Sequence, residues 1–341
     1  MDREQVFRSR VYAYGLILTV LVILVHSYNA DLFGAGELSG FPAFCRSFEY
    51  FFSVTLGQAA VPGFFLMSGY LFFRTDRPEG IGKEFFLRKL KNRIFTLVIP
   101  YLAWNLIYIL IYRAAGRTQL TPENIFNGIF NFYYNPVFWY MKQLILLSVL
   151  TPVMYLLLRD RFFPVMLFLS FLTAANYALL PFHIVNEDAC FYYMAGAAAA
   201  LHGRRRIEES PAPALRNAAL LFFAAAAAAL LLQEKGGLYA VILYRVLAAA
   251  DMFLLVSCLY PGSVRTASLM KLNFYTYAVH YLIIRAALMA VRGMFRDRPA
   301  PLFLLYVLLP PLCLAGAAAS AAVLRRVSPR LFRVLTGGRC G

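Results

Sequence analysis

Charged residues are scarce in this 341-residue chain: 15% Asp, Glu, Lys and Arg, against roughly 25% in a typical soluble domain. Acidic residues are scarcer still, with 17 against 33 basic ones, which leaves a net charge of +16. Such a deficit, beside a hydrophobic content of 61%, excludes an ordinary water-soluble globule and equally excludes disorder. The five cysteines (Cys45, Cys190, Cys258, Cys313 and Cys340) are odd in number and form no C-x-x-C, so neither a disulfide framework nor a zinc site is expected. Cys340, followed by one glycine, does not fit a prenylation end. No long polar stretch interrupts the chain, so a single membrane domain over 1–341 is expected. The basic surplus alone would suit nucleic acid, but Lys and Arg sit in short clusters between long apolar runs. No nucleic-acid partner is expected, and the chain reads as an all-α, multi-pass membrane protein.

A membrane-crossing helix needs roughly 20 mostly apolar residues. Ten stretches qualify: 11–28, 48–73, 94–112, 137–158, 162–180, 189–201, 214–232, 238–260, 272–291 and 301–324. The first follows a basic start without a small-residue cleavage site and reads as an anchor helix. With the N-terminus placed in the cytoplasm, the inner loops and tails hold 23 Lys and Arg and the outer loops 7. The bias of basic residues toward the inner side then predicts both termini cytoplasmic. Most of the +16 is therefore an orientation signal.

Ionisable groups within the spans cost at least ~2.5–3.5 kcal/mol at a helix centre, which makes each a candidate for function. They are His26, Glu49, Lys142, Arg245, Asp251, His280 and Arg285. Depth along the helices puts His26, Glu49, Lys142, Arg245 and Arg285 toward the outer side, with His280 nearer the middle. The plain alternative for each is a side chain reaching separately to the headgroups, or a packed, hydrogen-bonded histidine. Asp251 and Arg245 face different directions on one helix, so Asp251 is expected to pair across helices. His183 and His202 read as solvated loop residues. The basic cluster Arg88, Lys89, Lys91 and Arg93 suits either anionic lipid or the phosphates of a cytosolic cofactor.

Four segments together resemble the acyltransferase-3 family of integral membrane acyltransferases. LVILVHSYN, with His26, resembles the family's first-helix end and its catalytic histidine. AVPGFFLMSGYLFFR (60–74) resembles the Phe-Phe-x-x-Ser-Gly-Tyr segment and is the most specific match. KLKNRIFTLVIPYLAWN (89–105) resembles the basic cluster running into Pro-Tyr and Trp, and FWYMKQLILLSVLTP (138–152) the aromatic segment ending in Pro. NFYTYAVHYLI (273–283), with His280, is a weaker fifth likeness. The chain also departs from the pattern. Where many members carry an Arg eleven residues before the histidine, this chain has Gly15, and Tyr12 stands near an expected Asp. Lys142 and Gln143 replace the Arg-Asp of many relatives, keeping one charge and losing the planar guanidinium and the acid.

The resemblance implies transfer of an acetyl or other short acyl group from acyl-CoA to a hydroxyl of a cell-surface glycan or lipid-linked sugar. On that reading His26 is the general base, and His280 is a further catalytic candidate. Lys142, Arg245 or Arg285 stabilises the oxyanion. Arg74, Arg88, Lys89, Lys91 and Arg93 seat the CoA phosphates, and Ser68-Gly69 offers close packing or a narrow passage for the pantetheine arm. No metal is expected, and membrane lipids are the other partner. Two alternatives stay open from sequence: a transporter or flippase for a glycan or small solute, and a non-catalytic family relative.

Overall fold

The structure is a computed structural model that describes residues 3–33, 38–75, 80–177, 184–260 and 268–339. His183 and Cys340 lie outside the described residues. Those residues form helices, turns and connecting loops, with no strand among them. In chain order the helices are α1 (Arg3–Ser27), α2 (Gly40–Tyr50), α3 (Ala60–Phe73), α4 (Lys83–Arg93), α5 (Ile99–Ala114), α6 (Pro122–Phe130), α7 (Trp139–Leu158) and α8 (Phe163–Ala175). They continue as α9 (Glu187–Glu209), α10 (Ala212–Leu231), α11 (Gln233–Leu259), α12 (Ser268–Lys271), α13 (Asn273–Phe295), α14 (Pro299–Val327) and α15 (Pro329–Thr336).

Eight helical stretches among the described residues are long and apolar enough to cross a membrane. The two remaining sequence-predicted spans are also helical but fall short of that standard. α8 is an apolar helix of 13 residues, and α9 carries acids in its first turn and three arginines near its end. Lipid-facing character is plain on α10, where Leu221, Phe223 and Leu231 are exposed, as suits a helix surrounded by hydrocarbon.

Two long stretches are helices joined without a loop. α2 runs through a π-helical turn (Phe51–Thr55) and a 3₁₀ turn (Leu56–Ala59) into α3. α4 passes through a π-helical turn (Ile94–Val98) into α5, just before Pro100, which has no N–H to continue the regular ladder. The segments 40–47 and 83–93, read from sequence as loops, are therefore helical extensions of the second and third spans. α6 likewise lies within a stretch read as a loop; Thr121 caps it by accepting the Asn124 N–H at 3.2 Å. The expected break at 233–237 is present inside α11, where Gly237 adopts φ 54°, a conformation glycine reaches without steric cost.

The described chain packs as two compact units. One comprises residues 1–11 and 61–264, and the other residues 12–60 and 265–341. In the first, α3 crosses α9 at two glycines with the backbones in direct contact. A Cβ at Gly69 would fall onto the Tyr193 carbonyl oxygen, and one at Gly196 onto the Leu66 carbonyl oxygen. Gly69 thus serves close helix packing, while the Ser68 hydroxyl lies 3.4 Å from that of Tyr140. In the second, α13 packs on α14, and Ile23, Ile284, Leu309 and Cys313 form a buried cluster.

Candidate active site

The second unit carries both span histidines. His26 stands one residue before the end of α1, and its ring lies 5.4 Å from that of His280 on α13, tilted by 43°. His280 is fully buried. Its Nδ1–H donates at 2.6 Å to the carbonyl of Tyr277, three residues earlier on the same helix. That bond fixes the tautomer: Nε2 is left as the acceptor, buried and without a hydrogen-bond partner. His26 is only half-buried, and neither of its ring nitrogens is hydrogen-bonded among the described residues. The Tyr281 ring meets His26 edge-on at 5.7 Å, and the Arg285 guanidinium lies over the same tyrosine ring at 6.0 Å. His280, His26, Tyr281 and Arg285 thus form one continuous group. Tyr281 escapes a search for ionisable residues, and its only sequence signal is its place beside His280.

The end of α1 is held from α2. Glu49 is fully buried and accepts the Asn29 N–H on Oε2 at 3.0 Å. Ser53 donates to the Leu24 carbonyl at 2.7 Å, so its oxygen accepts the Tyr306 hydroxyl at 2.8 Å. At Gly15, where the resemblance leads to an expected arginine, the nearest neighbour is the Asn273 side chain. A Cβ on Gly15 would sit 2.8 Å from Asn273 Nδ2, which donates to the Tyr12 carbonyl at 3.2 Å.

The other candidates belong to the first unit. Lys142 donates to the Phe130 carbonyl at 3.0 Å, at the end of α6, and lies 5.0 Å over the Phe132 ring. Its neighbour Gln143 accepts the Asn186 N–H at 3.0 Å, and Asn186 in turn caps α9. The two residues that depart from the family pattern therefore pin two connecting segments. Arg245 is paired with Asp188 at 3.4 Å. Asp251 is buried, with Oδ1 unpartnered and no ion pair among the described residues, so the expected partner across helices is not found. His202, expected in a loop, is inside α9. Its ring stacks on Phe163 at 3.9 Å, and its Nε2 meets the Leu158 carbonyl at 2.6 Å. Arg10, in the N-terminal part of α1, is buried and donates to the Tyr260 carbonyl at 3.1 Å, beyond α11.

Arg74 ends the SGYLFFR segment in a carboxylate network. It donates to Glu208 at 2.7 and 2.9 Å and to Glu4 at 2.7 Å, and its guanidinium lies 4.3 Å over the Phe7 ring. Tyr70 donates to the same Glu208 oxygen at 2.7 Å. Burial by itself would raise the Glu208 carboxyl; the bonds from Arg74 and Tyr70 outweigh it and hold its pKa below 4.5. On α4 the cluster divides by exposure. Lys89 lies 5.7 Å and 5.4 Å over the Phe72 and Phe85 rings, and Arg93 lies 5.6 Å over Phe72, while Arg88 and Lys91 are exposed. Among the described residues no group of three or more His, Cys, Asp or Glu is arranged to hold a metal ion.

No curated protein and no solved structure matches the chain. The family comparison is extensive: a model described as an acyltransferase domain matches residues 16–333, from the middle of α1 to the last helix. With its long apolar helices and that match, the chain is a multi-pass integral membrane protein that belongs to the acyltransferase-3 family.

Proposed function

We propose that the protein is an O-acyltransferase that moves an acetyl or other short acyl group from acyl-CoA to a hydroxyl of a cell-surface glycan or lipid-linked sugar. The observation that carries this reading is the His26–His280 pair in a chain of this family. A neutral imidazole suits a general base at cellular pH, and among the described residues His26 is the histidine whose ring nitrogens take no hydrogen bond. In the reaction His26 takes the proton of the acceptor hydroxyl as its oxygen attacks the thioester carbonyl. The tetrahedral intermediate collapses with loss of the CoA thiolate, and the proton held on His26 neutralises that sulfur. His280, with Nδ1–H tied to Tyr277, presents Nε2 as an acceptor that selects the tautomer of His26.

Among the cations, Arg285 is the best suited to the developing oxyanion because it shares Tyr281 with His26. Lys142 and Arg245 are engaged by the Phe130 carbonyl and by Asp188, and we assign them to holding the outer connections. The exposed Arg88 and Lys91, with Lys89 and Arg93 beside them, are the proposed seat for the CoA phosphates on the cytoplasmic side, and Arg74 secures the adjoining helix ends.

The test uses purified protein in a lipid nanodisc with radiolabelled acetyl-CoA and a crude envelope glycan or glycolipid fraction. Transfer of label that is lost in His26→Ala and kept in His183→Ala supports the reading. Wild-type protein that transfers no label to any fraction overturns it.

A further inference from the structure

We infer that Glu49 is a positioning residue for His26, acting through the backbone at Asn29; the inference deepens the acyl-transfer reading and rests on it for its catalytic consequence. Three α2-side residues spaced by four, Glu49, Ser53 and Gly57, meet the last turn of α1 in succession. Glu49 accepts the Asn29 N–H at 3.0 Å. Ser53 takes the Leu24 carbonyl. Gly57 lies against the Val25 side chain with no space for a Cβ. His26 sits between these anchor points, at residues 24–25 on one side and Asn29 on the other.

The anchors differ in what they replace. After Ser27 the helix ends, and the chain turns at Asn29 into the 3₁₀ turn Ala30–Leu32. An N–H exposed at such a turn has no partner in the helix and must find one elsewhere in a buried setting. The Glu49 carboxyl oxygen supplies that partner. Asn29 Nδ2 adds bonds to the Leu302 carbonyl at 3.2 Å and the Ser27 carbonyl at 3.4 Å, which tie the same turn to α14 and to α1. Glu49 itself has no ion-pair partner among the described residues, and its Oε1 is buried without a donor. Its one hydrogen bond among those residues goes to the turn that follows His26. A carboxyl is costly in such a place, and its reach of two methylenes from α2 is what brings it to the turn.

Reach and charge are separable. Glu49→Gln keeps the length and one acceptor oxygen but loses the charge; Glu49→Asp keeps the charge but is one methylene too short. The experiment measures carbethoxylation of His26 by diethyl pyrocarbonate, residue by residue in the mass spectrometer, with the exposed His202 as an internal reference. Transfer of label from acetyl-CoA is followed in parallel. Glu49→Gln is expected to match wild type in His26 reactivity and pH profile. Glu49→Asp and Glu49→Ala are expected to change His26 reactivity several-fold while His202 stays constant, and to lower kcat with KM for acetyl-CoA retained. An unchanged His26 in both Glu49→Asp and Glu49→Ala overturns the inference, as does Glu49→Asp behaving as wild type while Glu49→Gln fails. If wild-type protein transfers no label, the acyl-transfer reading falls, and the modification rates still decide whether Glu49 sets His26.

Discussion

The Nε2 of His280 is buried with no hydrogen-bond partner among the described residues, and the ring that bears it lies 5.4 Å from the ring of His26. An acceptor left unsatisfied in a buried site costs about 1–3 kcal/mol, so a hydrogen on the facing imidazole would be its natural complement. This asymmetry gives the two histidines different predicted effects. His26→Ala is expected to lower kcat by about 10²–10⁴, the usual worth of a general base. His280→Ala is expected to cost less and to leave KM for acetyl-CoA in place, since it removes the tautomer-selecting acceptor and keeps the base. Steady-state rates with labelled acetyl-CoA over a range of pH check both. Equal losses in the two variants, with identical pH profiles, would contradict this division.

Gly69 and Gly196 predict a stability effect that is independent of chemistry. At each, a methyl group would meet a carbonyl oxygen of the opposing backbone, which cannot swing aside as a side-chain tip can. Gly69→Ala and Gly196→Ala are each expected to destabilise the protein by about 1–3 kcal/mol or more, the range for overpacking a tight core. Gly203 on the same α9 is the control, because its added Cβ would find Ile207 at an ordinary 3.7 Å. Gly203→Ala is expected to be neutral or to stabilise by up to about 1 kcal/mol through helix propensity. Unfolding in detergent, followed by Trp104 and Trp139 fluorescence, measures all three.

The apolar runs are legible in the sequence because lipid contact demands them along a whole helix, and the Gly237 turn because its neighbours are polar. α4 and α6 are hidden because each has a polar or interfacial face that lowers the hydropathy of its segment. α2 is hidden as well, its first turns carrying Pro42 and Arg46. Within the site, His26 and His280 are both conspicuous as rare ionisable residues in spans, but their contact is not. They stand at opposite ends of the sequence, and no periodicity relates α1 to α13. Lys142 illustrates the converse: its charge is conspicuous, while the carbonyl that receives it, at Phe130, leaves no mark in the sequence.

The pairing of Arg74 with Glu208 leads to a third prediction. Both side chains are mostly buried, at 17% and 11% exposure, and removing Arg74 leaves Glu208 with only the Tyr70 hydroxyl at 2.7 Å and Arg204 at 3.3 Å. Arg74→Ala is expected to destabilise by about 3–5 kcal/mol, as breaking a buried pair does, whereas the double variant Arg74→Met with Glu208→Met is expected to recover much of the loss. The pH dependence follows from the lowered Glu208 carboxyl. A group with a depressed folded pKa contributes stability that is full above its unfolded value of 4.5 and is lost as pH falls through the lower folded value. Wild type should therefore hold its unfolding temperature between neutral pH and the upper edge of the carboxylate range, then lose it below. In Glu208→Gln that acid-side loss should be smaller.

The divided basic face of α4 makes the last prediction, on which side chains seat the donor. Lys89 and Arg93 are held over Phe72, while Arg88 and Lys91 project into solvent. If the cluster pairs with the phosphates of CoA, then Arg88→Ala and Lys91→Ala should raise KM for acetyl-CoA with kcat nearly unchanged. The effect should shrink as salt rises, because exposed ion pairs are screened within about 8–10 Å at physiological ionic strength. Acetyl-pantetheine carries the same thioester without the nucleotide phosphates, and its KM should not respond to either substitution. Equal weakening of both donors would place the two basic side chains in a structural or lipid-binding role, since lipid contact does not distinguish a donor with phosphates from one without.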